Sequence, residues 1–186
     1  MKSFFTLVAV LVFGVCSVQA NTFMYNNSTN DLVVRFNPGE LEVGDEINFE
    51  PGTPRLLEAF SFEYYSENAA GGELRGAPMA QVRFYANNGP LFNGYDSPGT
   101  VLFNSGLFAV PTAPTERSTF VFGAADWGAP TLDLTGYDTI TWSVQFTGLE
   151  LGDEIGVDLY DPPVVGSSSR DYWEYDGSWS LKEQIG

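Results

Sequence analysis

The clearest signal along the chain is an alternation with a period of two. Across residues 140–146, Ile140, Trp142, Val144 and Phe146 alternate with Thr141, Ser143 and Gln145, as expected of a strand with one buried and one polar face. Phe60, Phe62 and Tyr64 alternate with Ser61 and Glu63, Ile155, Val157 and Leu159 with Gly156 and Asp158, and Val82 and Phe84 flank Arg83. Shorter strands are expected at 32–36, 46–50, 100–104, 120–122 and 179–181. Turn formers separate them: Asn37-Pro38-Gly39, Pro51-Gly52, Asn87-Asn88-Gly89-Pro90, Ser97-Pro98-Gly99 and Asp161-Pro162-Pro163. Twenty glycines and eleven prolines interrupt the chain too often for long helices. Residues 66–80 read as a loop. The pattern predicts an all-β fold, an antiparallel β-sandwich of jelly-roll-like character, forming a single domain over residues 21–186.

The N-terminus departs from that pattern. Lys2 precedes a nearly continuous apolar run from Phe4 to Val15, and Val18-Gln19-Ala20 supplies a small-residue cleavage site, so residues 1–20 read as a signal peptide. The run is too short for a helix crossing a core of about 30 Å. Cys16 raises a lipoprotein alternative, but Val15 is large where lipoprotein processing expects a small residue. Cleavage after Ala20 removes Lys2 and the chain's single cysteine, leaving an exported domain without disulfides.

Composition narrows the chemistry. The chain has 8 basic and 24 acidic residues, a formal charge of −16 that becomes −17 once Lys2 is lost. Such a charge opposes nucleic-acid and anionic-membrane partners, which need Lys and Arg. The absence of histidine excludes the Ser-His-Asp triad, the Cys-His dyad and the usual zinc sites. Neither a Walker loop nor a dinucleotide fingerprint is present. Paired carboxylates remain available for a glycosidase or lyase.

Three features carry candidate sites. The heptad Leu41-Glu42-Val43-Gly44-Asp45-Glu46-Ile47 returns as Leu149-Glu150-Leu151-Gly152-Asp153-Glu154-Ile155. It reads either as two carboxylate clusters or as two hairpins sharing a Gly-Asp turn that leads into a strand, the second being the simpler. Asp153, Glu154, Asp158 and Asp161 lie close enough in sequence to offer oxygen ligands to calcium. Residues 172–183 imitate an EF-hand loop, but Tyr172 stands at the first ligand position. Finally, residues 171–179 hold Tyr172, Trp173, Tyr175 and Trp179 among acids. Such rings stack on the apolar faces of sugars while carboxylates accept hydroxyl hydrogen bonds. The competing reading has Trp179 and Leu181 capping the core with Trp173 packed against them. Tyr95, with Phe92 in the loop 87–97, is a second aromatic candidate.

Several segments resemble secreted β-sandwich proteins of the PEP-CTERM-associated type from environmental bacteria. They are Val82-Arg83-Phe84-Tyr85-Ala86-Asn87-Asn88-Gly89 with Ser97-Pro98-Gly99-Thr100, then Trp142-Ser143-Val144-Gln145-Phe146, and Gly156-Val157-Asp158-Leu159-Tyr160 with Asp171-Tyr172-Trp173-Glu174. The resemblance implies export and association with the cell surface or exopolysaccharide, and supplies no catalytic residues. The sorting tail of such proteins is not among the residues up to Gly186. The expectation is therefore a secreted, non-catalytic domain without a membrane span that binds extracellular polysaccharide or another surface polymer. Its ligand residues would be Tyr172, Trp173, Tyr175 and Tyr95. A carboxylate-dependent glycosidase or lyase and a structural matrix protein without a discrete ligand are the alternatives.

Overall fold

The computed structural model describes residues 22–183, so the expected signal peptide lies outside the described residues. Sixteen strands and one short helix follow in chain order. The first eight are β1 (Asp31–Phe36), β2 (Glu42–Asn48), β3 (Leu56–Leu57), β4 (Phe60–Asn68), β5 (Met79–Ala86), β6 (Leu91–Phe92), β7 (Tyr95–Asp96) and β8 (Val101–Asn104). Next come β9 (Phe108–Ala109), β10 (Thr115–Phe122), α1 (Ala124–Trp127), β11 (Leu132–Asp133) and β12 (Thr139–Thr147). The chain closes with β13 (Asp153–Tyr160), β14 (Ser167–Ser168), β15 (Asp171–Tyr175) and β16 (Trp179–Glu183). No helix among the described residues is long and apolar enough to cross a membrane.

The fold is an all-β antiparallel sandwich. One sheet runs β1-β13-β4-β10, the other β16-β15-β2-β12-β5-β8, with β14 added to β2 and β9 to β5. Alternation dictates which residues meet. In β12, Ile140 lies opposite Ile47 of β2 and Ala86 of β5, and Val144 opposite Val43 and Val82, so apolar rows form across three strands. The facing sheet contributes Phe62 and Tyr64 of β4, Phe122 of β10, and Ile155 and Val157 of β13, all buried. Rings close the gap between the sheets: Phe60 meets Phe84 edge-on at 5.0 Å, and Phe62 lies 5.4 Å from Trp142. Aromatic pairs of this kind add to the burial that holds a sandwich together.

The strands expected from alternation are present, with differences at particular places. β2 starts at Glu42, ahead of the expected 46–50, because β12 pairs with it along its whole length and β15 pairs with its first half. The loop expected over 66–80 shrinks from both ends, since β4 continues to Asn68 and β5 begins at Met79. The two heptads have different conformations. Gly152, at φ +95°, makes a turn into β13, whereas Gly44 lies inside β2, where a Cβ would come within 2.8 Å of the Trp142 carbonyl oxygen. The shared sequence is thus a turn in one copy and a strand in the other.

Both outer strands of the four-stranded sheet carry irregularities, between Asp31 and Val34 in β1 and between Thr115 and Ser118 in β10. Val33 in the first has φ +57° and is 88% exposed. A β-branched residue there is strained, by about 1–2 kcal/mol. Val33→Asn is expected to raise stability by about 1 kcal/mol, because Asn tolerates this conformation and removes an exposed apolar group. An unchanged urea midpoint would show that the strain is relieved elsewhere.

Candidate functional site

The aromatic segment 171–179 forms a hairpin, β15 and β16, joined through Gly177 at φ +106°. Its strand period separates residues that are neighbours in sequence. Trp173 lies opposite Gly44 and Tyr175 opposite Glu42, on the outer face of the larger sheet. Tyr172 turns the other way, into the sandwich, and packs edge-on against Phe36 at 4.9 Å. Trp173 is 1% exposed, so it serves as floor rather than contact surface. Of the expected ligand residues, Tyr175 (41% exposed) and Tyr95 (59% exposed) are open to solvent, Trp173 is buried, and Tyr172 is half-buried on the inward face.

The outer face is concave at this edge. Trp179 of β16 lies with its ring 5.4 Å from that of Tyr85 in β5, although β15, β2 and β12 intervene. Four strand spacings of a flat sheet would be about 19 Å, beyond the combined reach of the two side chains. The edge hairpin must therefore curl over its own sheet. Tyr175 rests on Trp179 at 5.2 Å and extends this aromatic surface. A second hairpin, β6 and β7, turns on Asn93 (φ +52°) and Gly94 (φ +92°), the pair that a tight two-residue hairpin turn demands. It sets Phe92 edge-on to Trp173 at 6.2 Å and leaves Tyr95 on the rim.

Beneath the rings lies a polar network. Glu42, 5% exposed, accepts hydrogen bonds from Arg83 Nη1 at 2.5 Å, Tyr85 Oη at 2.9 Å and Ser143 Oγ at 2.6 Å. Burial and the Glu42 charge push the Tyr85 phenol far above its ordinary range, which keeps it a donor. Thr141 Oγ1 donates to Asn87 Oδ1 at 2.8 Å, and Asn87 Nδ2 to Glu46 Oε2 at 2.7 Å. Burial, then Asp171 and Asp96, raise the Glu46 carboxyl above the usual carboxylate range. A satisfied network of this kind fixes the floor and hence the positions of the rings above it.

The four carboxylates expected to hold calcium are dispersed. Asp153 accepts from the backbone N–H of Arg75 (2.9 Å), Gly76 (2.8 Å) and Glu150 (3.0 Å) and from Asn68 Nδ2 (2.8 Å). Desolvation opposes its charge, but these donors outweigh it and hold the carboxyl well below its ordinary range. Glu154 lies across from Glu67, Asp158 sits 3.8 Å from Arg35 Nε and 3.7 Å from Arg117 Nε, and Asp161 3.1 Å from Arg170 Nε. Among the described residues, no group of three or more acidic or other metal-ligating side chains is placed to hold a metal ion.

Tyr85 and Arg83 are not among the candidate site residues read from the sequence, and Trp179, though in the aromatic segment, is not among the expected ligand residues. The period of two places Arg83 and Tyr85 on the polar face of β5 and Glu42 on that of β2, but no local signal brings Trp179 to them. No protein-family model matches the chain, and neither a curated protein nor a solved structure matches it.

Proposed function

We propose that the protein is an exported, non-catalytic β-sandwich that binds extracellular polysaccharide through the concave outer face of its larger sheet. The observation that carries this reading is the aromatic surface of Tyr175 and Trp179, packed on Tyr85 over a rigid polar floor. Rings held in this way lose little conformational freedom on stacking against a sugar. The exposed carboxylates Asp96 and Asp176 and the rim residue Tyr95 lie in the same two hairpins and supply acceptors for hydroxyl groups. Glu42 does not suit the role of a catalytic carboxylate, because its oxygens are committed to Arg83, Tyr85 and Ser143.

The test is a polysaccharide array with Tyr175→Ala and Tyr95→Ala variants. For a stacking contact each substitution is expected to weaken binding by roughly 5- to 100-fold, about 1–3 kcal/mol, without moving the melting temperature by more than a few degrees. A wild-type protein that binds no glycan, or a Tyr175→Ala variant that binds as well, would remove this reading. Release of reducing ends from a bound glycan would replace it with a hydrolytic one.

A further inference from the structure

A cavity of about 1200 Å³ lies between the sheets, running from Phe60, Phe62 and Trp142 inside the sandwich to Tyr25 and Tyr172 at its edge. Protein interiors pack with few voids larger than a water molecule, and small-molecule pockets measure about 300–1,000 Å³. At about 1200 Å³ the space lies somewhat above that range and is ample for a small organic molecule, and its walls are mainly apolar and aromatic.

Several carboxylates interrupt them, Asp45, Asp161 and Asp171 among them, and Asp45 is the one that β2 sets opposite Trp142. In β2 the residues Val43, Asp45 and Ile47 share the inward face, so Asp45 enters the cavity directly across from Trp142 of β12. Among the described residues no hydrogen bond or ion pair reaches its carboxylate. The contrast with Asp153, at the equivalent position of the second heptad, is complete, since that carboxylate takes four donors. The surroundings of Asp45 are acidic: Asp171, Glu46 and Asp161 all act on it, and together with burial they push its carboxyl well above the ordinary range. Tyr25 is also pushed up to about 12, by burial and by Asp45. Arg35, the arginine that borders the cavity, is engaged elsewhere. Its guanidinium lies 4.9 Å from the centre of the Tyr65 ring, and it contacts Asp158 at 3.8 Å and the Glu116 carbonyl at 2.7 Å.

We propose that this cavity binds a cationic amphiphile, an organic amine whose ammonium group pairs with Asp45 beside the Trp142 ring and whose apolar portion lies among Phe60, Phe62 and Phe84. A neutral guest would fill the volume but leave the Asp45 carboxyl without a partner, and an anionic guest would meet Asp45, Asp161 and Asp171 in the wall. An ammonium group supplies Asp45 with a partner and gains from the aromatic faces around it.

The experiment compares octylammonium, 1-octanol and octanoate by isothermal titration calorimetry at pH 7.5, all below their aggregation thresholds. Octylammonium is expected to bind roughly 10-fold more tightly than octanol, with octanoate the weakest. Asp45→Asn is expected to abolish the preference for the amine while leaving octanol binding intact, and Trp142→Phe to weaken the amine several-fold. Equal affinities for amine and alcohol, tighter binding of octanoate, absence of binding by all three, or an amine preference that survives Asp45→Asn would each overturn the proposal. The last outcome would assign the amine to the acidic surface. Tyr175→Ala, which tests the glycan surface, is expected to leave octylammonium binding unchanged, so the two readings stand or fall separately.

Discussion

Replacing Glu42 by alanine is expected to destabilise the protein by about 3–5 kcal/mol, because it leaves the Arg83 guanidinium in a largely buried site without its counter-charge. Glu42 and Arg83 pair at 2.5 Å, with side chains only 6% and 18% exposed, beside Tyr85, whose ring meets that of Trp179. Tyr85 and Ser143 would lose their acceptor in the same substitution, and each buried hydroxyl left unsatisfied adds to the cost. The double replacement Glu42→Leu with Arg83→Met is expected to recover most of the loss, since it removes both charges rather than one. Urea midpoints at constant slope measure both effects. A loss below about 1 kcal/mol for Glu42→Ala would mean that water reaches the pair and screens it. If the proposed glycan reading holds, Glu42→Ala should also weaken polysaccharide binding, because the floor beneath the rings is lost with it.

Asp45→Asn should have the opposite effect and stabilise the protein at neutral pH. The unfolded chain ionises this residue near pH 3.9, whereas the folded chain holds the proton to higher pH, through burial and then through Asp171, Glu46 and Asp161. Over the interval between the two values the native state binds more protons than the unfolded state. Stability therefore falls as pH rises through that interval, by about 1.4 kcal/mol for each pH unit, and stays low above it. Asparagine has no proton to lose. The variant should be more stable than the parent at pH 7 and match it near pH 3.5, where both carry a neutral side chain. Parallel stability curves for the two proteins across pH 3.5–7.5 would contradict the assignment. Asp45 lines the cavity between the sheets, so the group whose ionisation costs stability stands where the proposed amine would pair with it.

The alternation of Ile140, Trp142, Val144 and Phe146 made the sandwich legible in the sequence, because each strand's period is a local property. The two copies of the Gly-Asp heptad mark where legibility ends. Asp45 and Asp153 have nearly the same neighbours in sequence, yet one is unpaired and the other takes four donors. The difference is made by Arg75 and Gly76, far from Asp153 in the chain, and by β12, which holds Gly44 in a strand. The aromatic segment was legible as a concentration of rings but not as a surface. Tyr172 and Trp173 are adjacent in sequence and belong to opposite faces, and the ring that completes the surface, Trp179, reaches Tyr85 only because the sheet curls. Curvature depends on the whole sheet, so no local pattern announces it.

The irregular pairing in β1 and β10 bears on how copies of this protein meet. These strands are the two free margins of the four-stranded sheet, and a regular margin is a template on which another chain can lay a strand. Here each margin is broken within its first half, and one break projects Val33 outward on a backbone that cannot continue a ladder. Charged side chains reinforce the break, with Arg35 on one margin and Glu116 and Arg117 on the other. Growth of fibres by edge-to-edge addition is thereby disfavoured at this sheet, so copies of the protein at high density can remain separate molecules.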